Sequence, residues 1–90
     1  MKIAYEILVI GLVQGVGFRY FTKQAADKYS VFGDVTNQDD GSVLIHVFGD
    51  NEHVVKFLDW CHKGPPSSIV ESIQYQKIQN FQAHDFQIKR

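Results

Sequence analysis

The spacing of apolar residues changes several times along the chain, and each change marks a predicted element. Residues 3–13 alternate with a period of two, which is typical of a β-strand. Over residues 18–29, an amphipathic helix is indicated by apolar residues at helical spacing, which form its predicted buried side: Phe18, Phe21, Ala25 or Ala26, and Tyr29. A second strand is predicted over 31–37. Asp39-Asp40-Gly41 is a hairpin signal before a third strand over 43–48.

The second half of the chain repeats this helix-then-strand order. Asp50 or Asn51 is the predicted N-cap of a helix that Gly64-Pro65-Pro66 ends. Its predicted buried stripe is Val54, Phe57, Leu58 and Cys61. Strands over 69–78 and 85–89 complete a β-α-β-β-α-β order with a short terminal strand. This order predicts an α+β, ferredoxin-like sandwich, with two helices on one face of a mostly antiparallel sheet.

The opposite face of the predicted sheet carries an apolar patch. Leu8, Ile10, Leu12, Leu44 and Phe48 would point there, beside Glu6 and His46. Such a patch is either a partner surface or is covered by loops, and the pattern leaves both open. We expect all four histidines to be surface residues, because their spacing does not suit a metal site.

Composition narrows the class of protein. Residues 1–90 are enough for one domain, and a hydrophobic content of 44% is that of a globular chain. The net charge of −1 gives no basic surface for nucleic acid, and no apolar run is long enough to span a membrane. Cys61 alone cannot form an intramolecular disulfide and is predicted to lie in the core. We therefore expect a soluble, cytoplasmic monomer.

Between the first strand and the first helix lies a glycine-rich turn that is a candidate anion-binding site. Gly11, Gly15 and Gly17 allow a tight backbone, and the helix that follows offers free N–H groups and its positive dipole end. Arg19 adds a cation. A nucleotide P-loop is excluded because no Lys-Ser or Lys-Thr follows, and a dinucleotide loop because Tyr20 takes the third glycine position. A plain strand-to-helix turn with a surface arginine is the alternative to a phosphate site.

Two motifs in the chain resemble those of the acylphosphatase family. Val13–Arg19, with the sequence VQGVGFR, is similar to the family's signature loop. Gly33–Val43 resembles its second element, and the 18 residues from Arg19 to Asn37 suit the family's spacing.

The resemblance extends over essentially the whole chain but includes departures. Gly64–Ser68 and Phe86–Ile88 also match the family. Leu12 and Thr36 stand where the family often has basic residues, and Asp34 stands where an aromatic residue is usual. These departures remove positive charge near the expected site and none of its catalytic groups.

The resemblance implies hydrolysis of acyl phosphates to a carboxylate and inorganic phosphate, with neither metal nor cofactor. Arg19 and Asn37 would be catalytic, Arg19 on the phosphoryl group and Asn37 on the attacking water. The phosphate-binding loop would comprise Gln14, Gly15, Val16, Gly17, Phe18 and Arg19. The expected partners are a small acyl phosphate and, as competing ligands, inorganic phosphate or sulfate, with no nucleic acid or membrane. A catalytically weak module that binds acyl or carbamoyl phosphate, or a regulatory module on the same fold, is the alternative.

Overall fold

The computed structural model describes all 90 residues and contains the predicted order of elements. The elements are β1 (Lys2–Leu12), α1 (Phe18–Tyr29), β2 (Phe32–Asn37), β3 (Val43–Asp50), α2 (Asn51–Lys63), β4 (Ile69–Lys77) and β5 (Phe86–Lys89). Asp50 is the N-cap of α2 and Gly64 follows its last turn, as predicted. Neither helix is long and apolar enough to cross a membrane.

The five strands form one mixed sheet in the order β4-β1-β3-β2-β5. All neighbours are antiparallel except β2 and β5, which run parallel, with Gly33 opposite Phe86 and Val35 opposite Ile88. The ferredoxin-like sandwich is therefore confirmed. The parallel edge brings the end of the chain beside the end of β2.

The core lies between one face of this sheet and the two helices. Ile45 on the central strand pairs with Ile7 of β1 and Val35 of β2, and all three side chains are fully buried. Phe57 of α2 belongs to the same core cluster and is also fully buried. Burying a side chain of this size contributes roughly 1.5–3 kcal/mol. These contacts hold the start of α1 and the end of β2 on one scaffold.

The buried side of α1 differs from the prediction at two positions. Phe21 is 37% exposed, although its spacing suggested the core, while Thr22 is fully buried. Thr22 tolerates burial because its hydroxyl donates to the carbonyl oxygen of Phe18 at 2.7 Å. In α2, Val54, Phe57 and Cys61 are buried as predicted, while Leu58 is only half-buried.

The open face of the sheet carries a polar cluster, in which His46, predicted to be a surface residue, is 25% exposed and has two acidic neighbours. His46 lies opposite Glu6 on β1 and Asp34 on β2, and its two ring nitrogens lie 3.1 Å and 3.0 Å from their carboxylate oxygens. Phe81, from the segment between β4 and β5, lies against the imidazole with ring centroids 5.5 Å apart. Leu8, Ile10, Leu44 and Phe48 are half-buried, and Leu12 is exposed.

Candidate functional site

The turn between β1 and α1 adopts the conformation that its glycines predict. Gly15 has a φ of 75° and Gly17, the N-cap of α1, a φ of 77°. Both lie in the left-handed region, which costs an L-residue with a side chain roughly 1–2 kcal/mol. No side chain caps the first turn of α1, and no acidic residue lies in it. The N–H groups of this turn are therefore available to an anion.

A cavity of about 340 Å³ opens in front of this turn. Its lining residues come from the turn, from the start of α1, from the end of β2 and from the end of the chain: Val13, Gly15, Gly17, Phe18, Arg19, Tyr20, Asn37, Ile88 and Arg90. Arg19 and Asn37, which the sequence analysis selected from two separate motifs, thus line one cavity. Gly15, Gly17 and Phe18 of the predicted loop join them, whereas Gln14 and Val16 do not line it.

The guanidinium of Arg19 is anchored at one point. Its Nη1 donates a hydrogen bond to the carbonyl oxygen of Lys89 at 2.9 Å. Lys89 belongs to β5, whose parallel pairing with β2 carries that carbonyl to the cavity. A guanidinium has five N–H donors, so one bond to the protein orients the fork and leaves the others for a ligand.

Asn37 presents the one unsatisfied buried side-chain atom of the structure. Its Oδ1 is buried and has no hydrogen-bond partner. Leaving such an atom unpaired typically costs about 1–3 kcal/mol, so native proteins rarely do it without a reason. Asn37 makes no side-chain hydrogen bond in the protein although it lines the cavity. Its carboxamide is therefore uncommitted.

The charged side chains around the cavity have one sign. Arg19 and Arg90 line it, and no Asp or Glu side chain does. The positive end of the α1 dipole adds to these cations. An anion is the ligand that this environment favours. Nowhere in the chain do three or more His, Cys, Asp or Glu side chains come together as a group that could hold a metal ion.

Four residues of the lining were not predicted from the sequence, and one of them, Val13, directly precedes the predicted loop. Tyr20 directly follows Arg19 and extends the wall that α1 provides, and its position in the first helical turn could have indicated this. Ile88 and Arg90 reach the cavity only through the parallel pairing of β5 with β2. No local pattern in the sequence indicates that pairing.

Two segments outside the cavity hold the turn in place. Gln14 donates through Nε2 to the carbonyl oxygens of Gln38 and Ser42, at 2.7 Å and 2.9 Å. Ser67, between α2 and β4, donates through Oγ to the carbonyl oxygen of Val16 at 2.8 Å. The turn is therefore tied to the β2–β3 hairpin on one side and to the α2–β4 connection on the other.

Comparison with known proteins relates nearly the whole chain to one family. The family model described as acylphosphatase matches residues 5–88. The acylphosphatase of Thermotoga maritima is 45% identical over 86 residues, which cover 96% of each chain. The crystal structure of acylphosphatase from Bacillus subtilis has a TM-score of 0.93 at 38% identity, with each chain covered completely.

A larger protein contains a similar unit. The structure of T. kodakarensis HypF matches all of this chain with a TM-score of 0.85 and 34% identity, over 12% of its own length. The matches to the Thermotoga and Bacillus proteins, by contrast, are nearly end to end. With matches of this extent and identity, the chain belongs to the acylphosphatase family, a family of hydrolases that act on acid anhydrides.

Proposed function

We propose that this chain hydrolyses acyl phosphates in the cavity between α1 and β2, without a metal or other cofactor. The observation that carries the proposal is the pairing of an anchored cation with an uncommitted carboxamide: Arg19 and Asn37 line one cavity to which no Asp or Glu side chain contributes. Such a set can bind an oxyanion and orient a water. It offers no nucleophile with an adjacent base.

The phosphoryl group binds between the turn and Arg19. Backbone N–H groups of the turn and of the first turn of α1, from about Gln14 to Arg19, donate to its oxygens. The Arg19 fork, held by the Lys89 carbonyl, supplies a permanent positive charge in a planar geometry that matches phosphate. Charge that develops on the equatorial oxygens during transfer is stabilised by the same groups.

Asn37 holds the attacking water. The water oxygen attacks phosphorus in line, and the bond from phosphorus to the acyl oxygen breaks with its electron pair leaving on the carboxylate. The water's protons stay with the product phosphate or pass to solvent. A carboxylate is a weak base and needs no proton donor on departure, so the absence of a general acid in the cavity lining is compatible with turnover. A neutral carboxamide also avoids the repulsion that an aspartate would exert on the substrate.

Two substitutions separate these roles. Arg19→Gln should lose phosphate affinity together with kcat, because the guanidinium binds both the ground and the transition state. Asn37→Ala should lower kcat by about 10²–10³-fold and leave phosphate affinity nearly unchanged. Release of phosphate from benzoyl phosphate, with and without a chelator, gives kcat and KM. Calorimetric titration with inorganic phosphate gives the affinity.

Exposed positions on α2 supply the matched controls for these variants. Lys56→Gln removes a cation and Asn51→Ala removes a carboxamide away from the cavity, and both should behave as wild type. The proposal fails if chelation abolishes turnover and a divalent ion restores it. It also fails if Asn37→Ala retains near-normal kcat.

The same assay distinguishes this proposal from the alternative, a module that binds the phosphoryl group but does not hydrolyse acyl phosphate. Such a module would bind inorganic phosphate and release none from benzoyl phosphate. We further propose that residues 1–90 form one domain and that the protein is a cytoplasmic monomer. Size-exclusion chromatography tests the oligomeric state, and cell fractionation tests the location.

A further inference from the structure

The side chain of Gln14 makes an unusual pair of long-range hydrogen bonds. Its Nε2 donates both of its hydrogens, one to the carbonyl oxygen of Gln38 at 2.7 Å and one to that of Ser42 at 2.9 Å. These acceptors lie 24 and 28 residues further along the chain. One carboxamide therefore joins the phosphate-binding turn to the residue that follows β2 and to the residue that precedes β3.

The acceptors are closely linked to Asn37. Gln38 follows Asn37 directly, and the N–H of Gln38 donates to the carbonyl oxygen of Ser42 at 2.8 Å, which closes the hairpin next to Asn37. Asn37 itself pairs with Val43 across the two strands. The Gln14 amide thus holds both arms of the hairpin at the residues next to the Asn37–Val43 pair, on the side of the hairpin turn.

The side chain of Gln14 does not line the cavity, so it has no direct contact with a ligand there. Val13, which precedes Gln14, is buried, and Gly15, which follows Gln14, begins the left-handed part of the turn. Backbone position alone would make Gln14 one more N–H donor of the turn. Its side chain adds a direct hydrogen-bonded connection between the turn and the β2–β3 hairpin.

We propose that the Gln14 side chain is a positioning residue that sets the distance between the phosphate-binding turn and Asn37. The inference rests on the proposed function, since it assigns to Gln14 the alignment of the water with the bound phosphoryl group. In-line attack is sensitive to such alignment, and a misplacement of about 1 Å can cost on the order of 10²-fold in rate.

Gln14→Met tests this, because methionine has a similar length and no N–H donor. We expect kcat to fall by about 10- to 100-fold, while the Kd for inorganic phosphate changes less than about threefold because the turn and Arg19 are retained. Gln76→Met is the matched control. Its Nε2 donates to Glu6 at 3.2 Å on the open face, away from the cavity, and its loss should leave kcat unchanged.

A double-mutant cycle with Asn37→Ala distinguishes positioning from general support of the structure. If Gln14 acts through Asn37, then Gln14→Met should lower kcat less than about threefold in the Asn37→Ala background. An equal fall in both backgrounds overturns the inference. So does unchanged kcat in Gln14→Met alone, or a loss of phosphate affinity that keeps pace with the loss of kcat.

Folding of the variants is checked by far-UV circular dichroism. Should Gln14→Met not fold, Gln14→Asn takes its place in the same cycle, since it retains the carboxamide but is one methylene too short to reach both carbonyls. Wild-type turnover with a normal Asn37→Ala defect and no coupling to Gln14 would overturn this inference alone. Absence of wild-type turnover would overturn the proposed function and this inference with it.

Discussion

Replacing Gly17 by alanine tests whether the turn depends on its left-handed backbone. Gly17 has φ 77° and ψ 17° at the N-cap of α1. A Cβ built there would lie 3.5 Å from the nearest atom, in the ring of Phe21, which is an ordinary van der Waals distance. Steric conflict with neighbours is therefore absent, and the cost of Gly17→Ala comes from the backbone conformation alone.

The magnitude follows from two opposing contributions. A left-handed conformation costs an L-residue roughly 1–2 kcal/mol. Alanine lowers the entropy of the unfolded chain relative to glycine, which returns about 0.4–1 kcal/mol. The net destabilisation is about 1 kcal/mol, which for a domain of this size lowers Tm by roughly 4–8 °C. If the free turn relaxes to avoid the strain, the same energy appears instead as an approximately fivefold weaker Kd for phosphate.

The other end of α1 supplies a control of opposite sign. Ser30, the C-cap, also lies in the left-handed region, with φ 57° and ψ 47°, although it is not glycine. Ser30→Gly relieves that strain and should raise stability by about 0.5–1 kcal/mol. It lies outside the cavity lining, so phosphate affinity should not change. Urea unfolding followed by circular dichroism, with and without phosphate, measures both variants.

One result would refute this reasoning. If Gly17→Ala changes neither the free energy of unfolding nor the Kd for phosphate, the turn does not require a left-handed residue at this position. The glycine would then be incidental to the site. A gain in stability for Ser30→Gly in the same experiment would show that the method resolves effects of this size.

Two further predictions concern groups outside the cavity. Burial raises the pKa of the Cys61 thiol, so the native protein should react with a thiol-specific reagent only at the rate at which it unfolds, and fast modification without denaturant would contradict this. Hydrogen bonds from the hydroxyl and then the backbone N–H of Ser42 lower the pKa of Asp40. The contribution of Asp40 to the free energy of unfolding is therefore fully present above its pKa in the unfolded chain. It is lost as the pH falls through its lower pKa in the folded protein. Asp40→Ala should be less stable than wild type at neutral pH, and the difference should vanish in acid; a pH-independent difference would exclude this origin.

Local patterns in the sequence determined the elements and the turn that joins the first two. The period-two runs and the helical stripes depend on the side chains of neighbouring residues, and each element formed where its own pattern lies. The positive φ of Gly15 and Gly17 likewise follows from residues that tolerate it without cost. Arg19 and Asn37 could be selected from sequence because the resemblance rests on two motifs at a set spacing.

Where the pattern was ambiguous, packing decided. Phe21 and Thr22 are both compatible with the buried side of α1, and hydrophobicity favoured Phe21. Thr22 is buried instead because its hydroxyl finds an acceptor one turn earlier, in the Phe18 carbonyl. The hydrogen-bond acceptor of the Thr22 hydroxyl exists only once the helix has formed. The spacing of Thr22 in the sequence therefore could not show that its side chain would be buried.

Apart from Arg19 and Asn37, the tertiary structure alone decided which distant groups meet at the cavity. A four-residue strand such as β5 can pair with any open sheet edge, and the edge of β2 was selected with Phe86 buried in the core. That choice brings Ile88, Arg90 and the Lys89 carbonyl to the site. The contacts of Gln14 with the hairpin arise in the same way. Pairings between segments far apart in the chain depend on how the whole core packs. The periodicity of any one segment does not determine them.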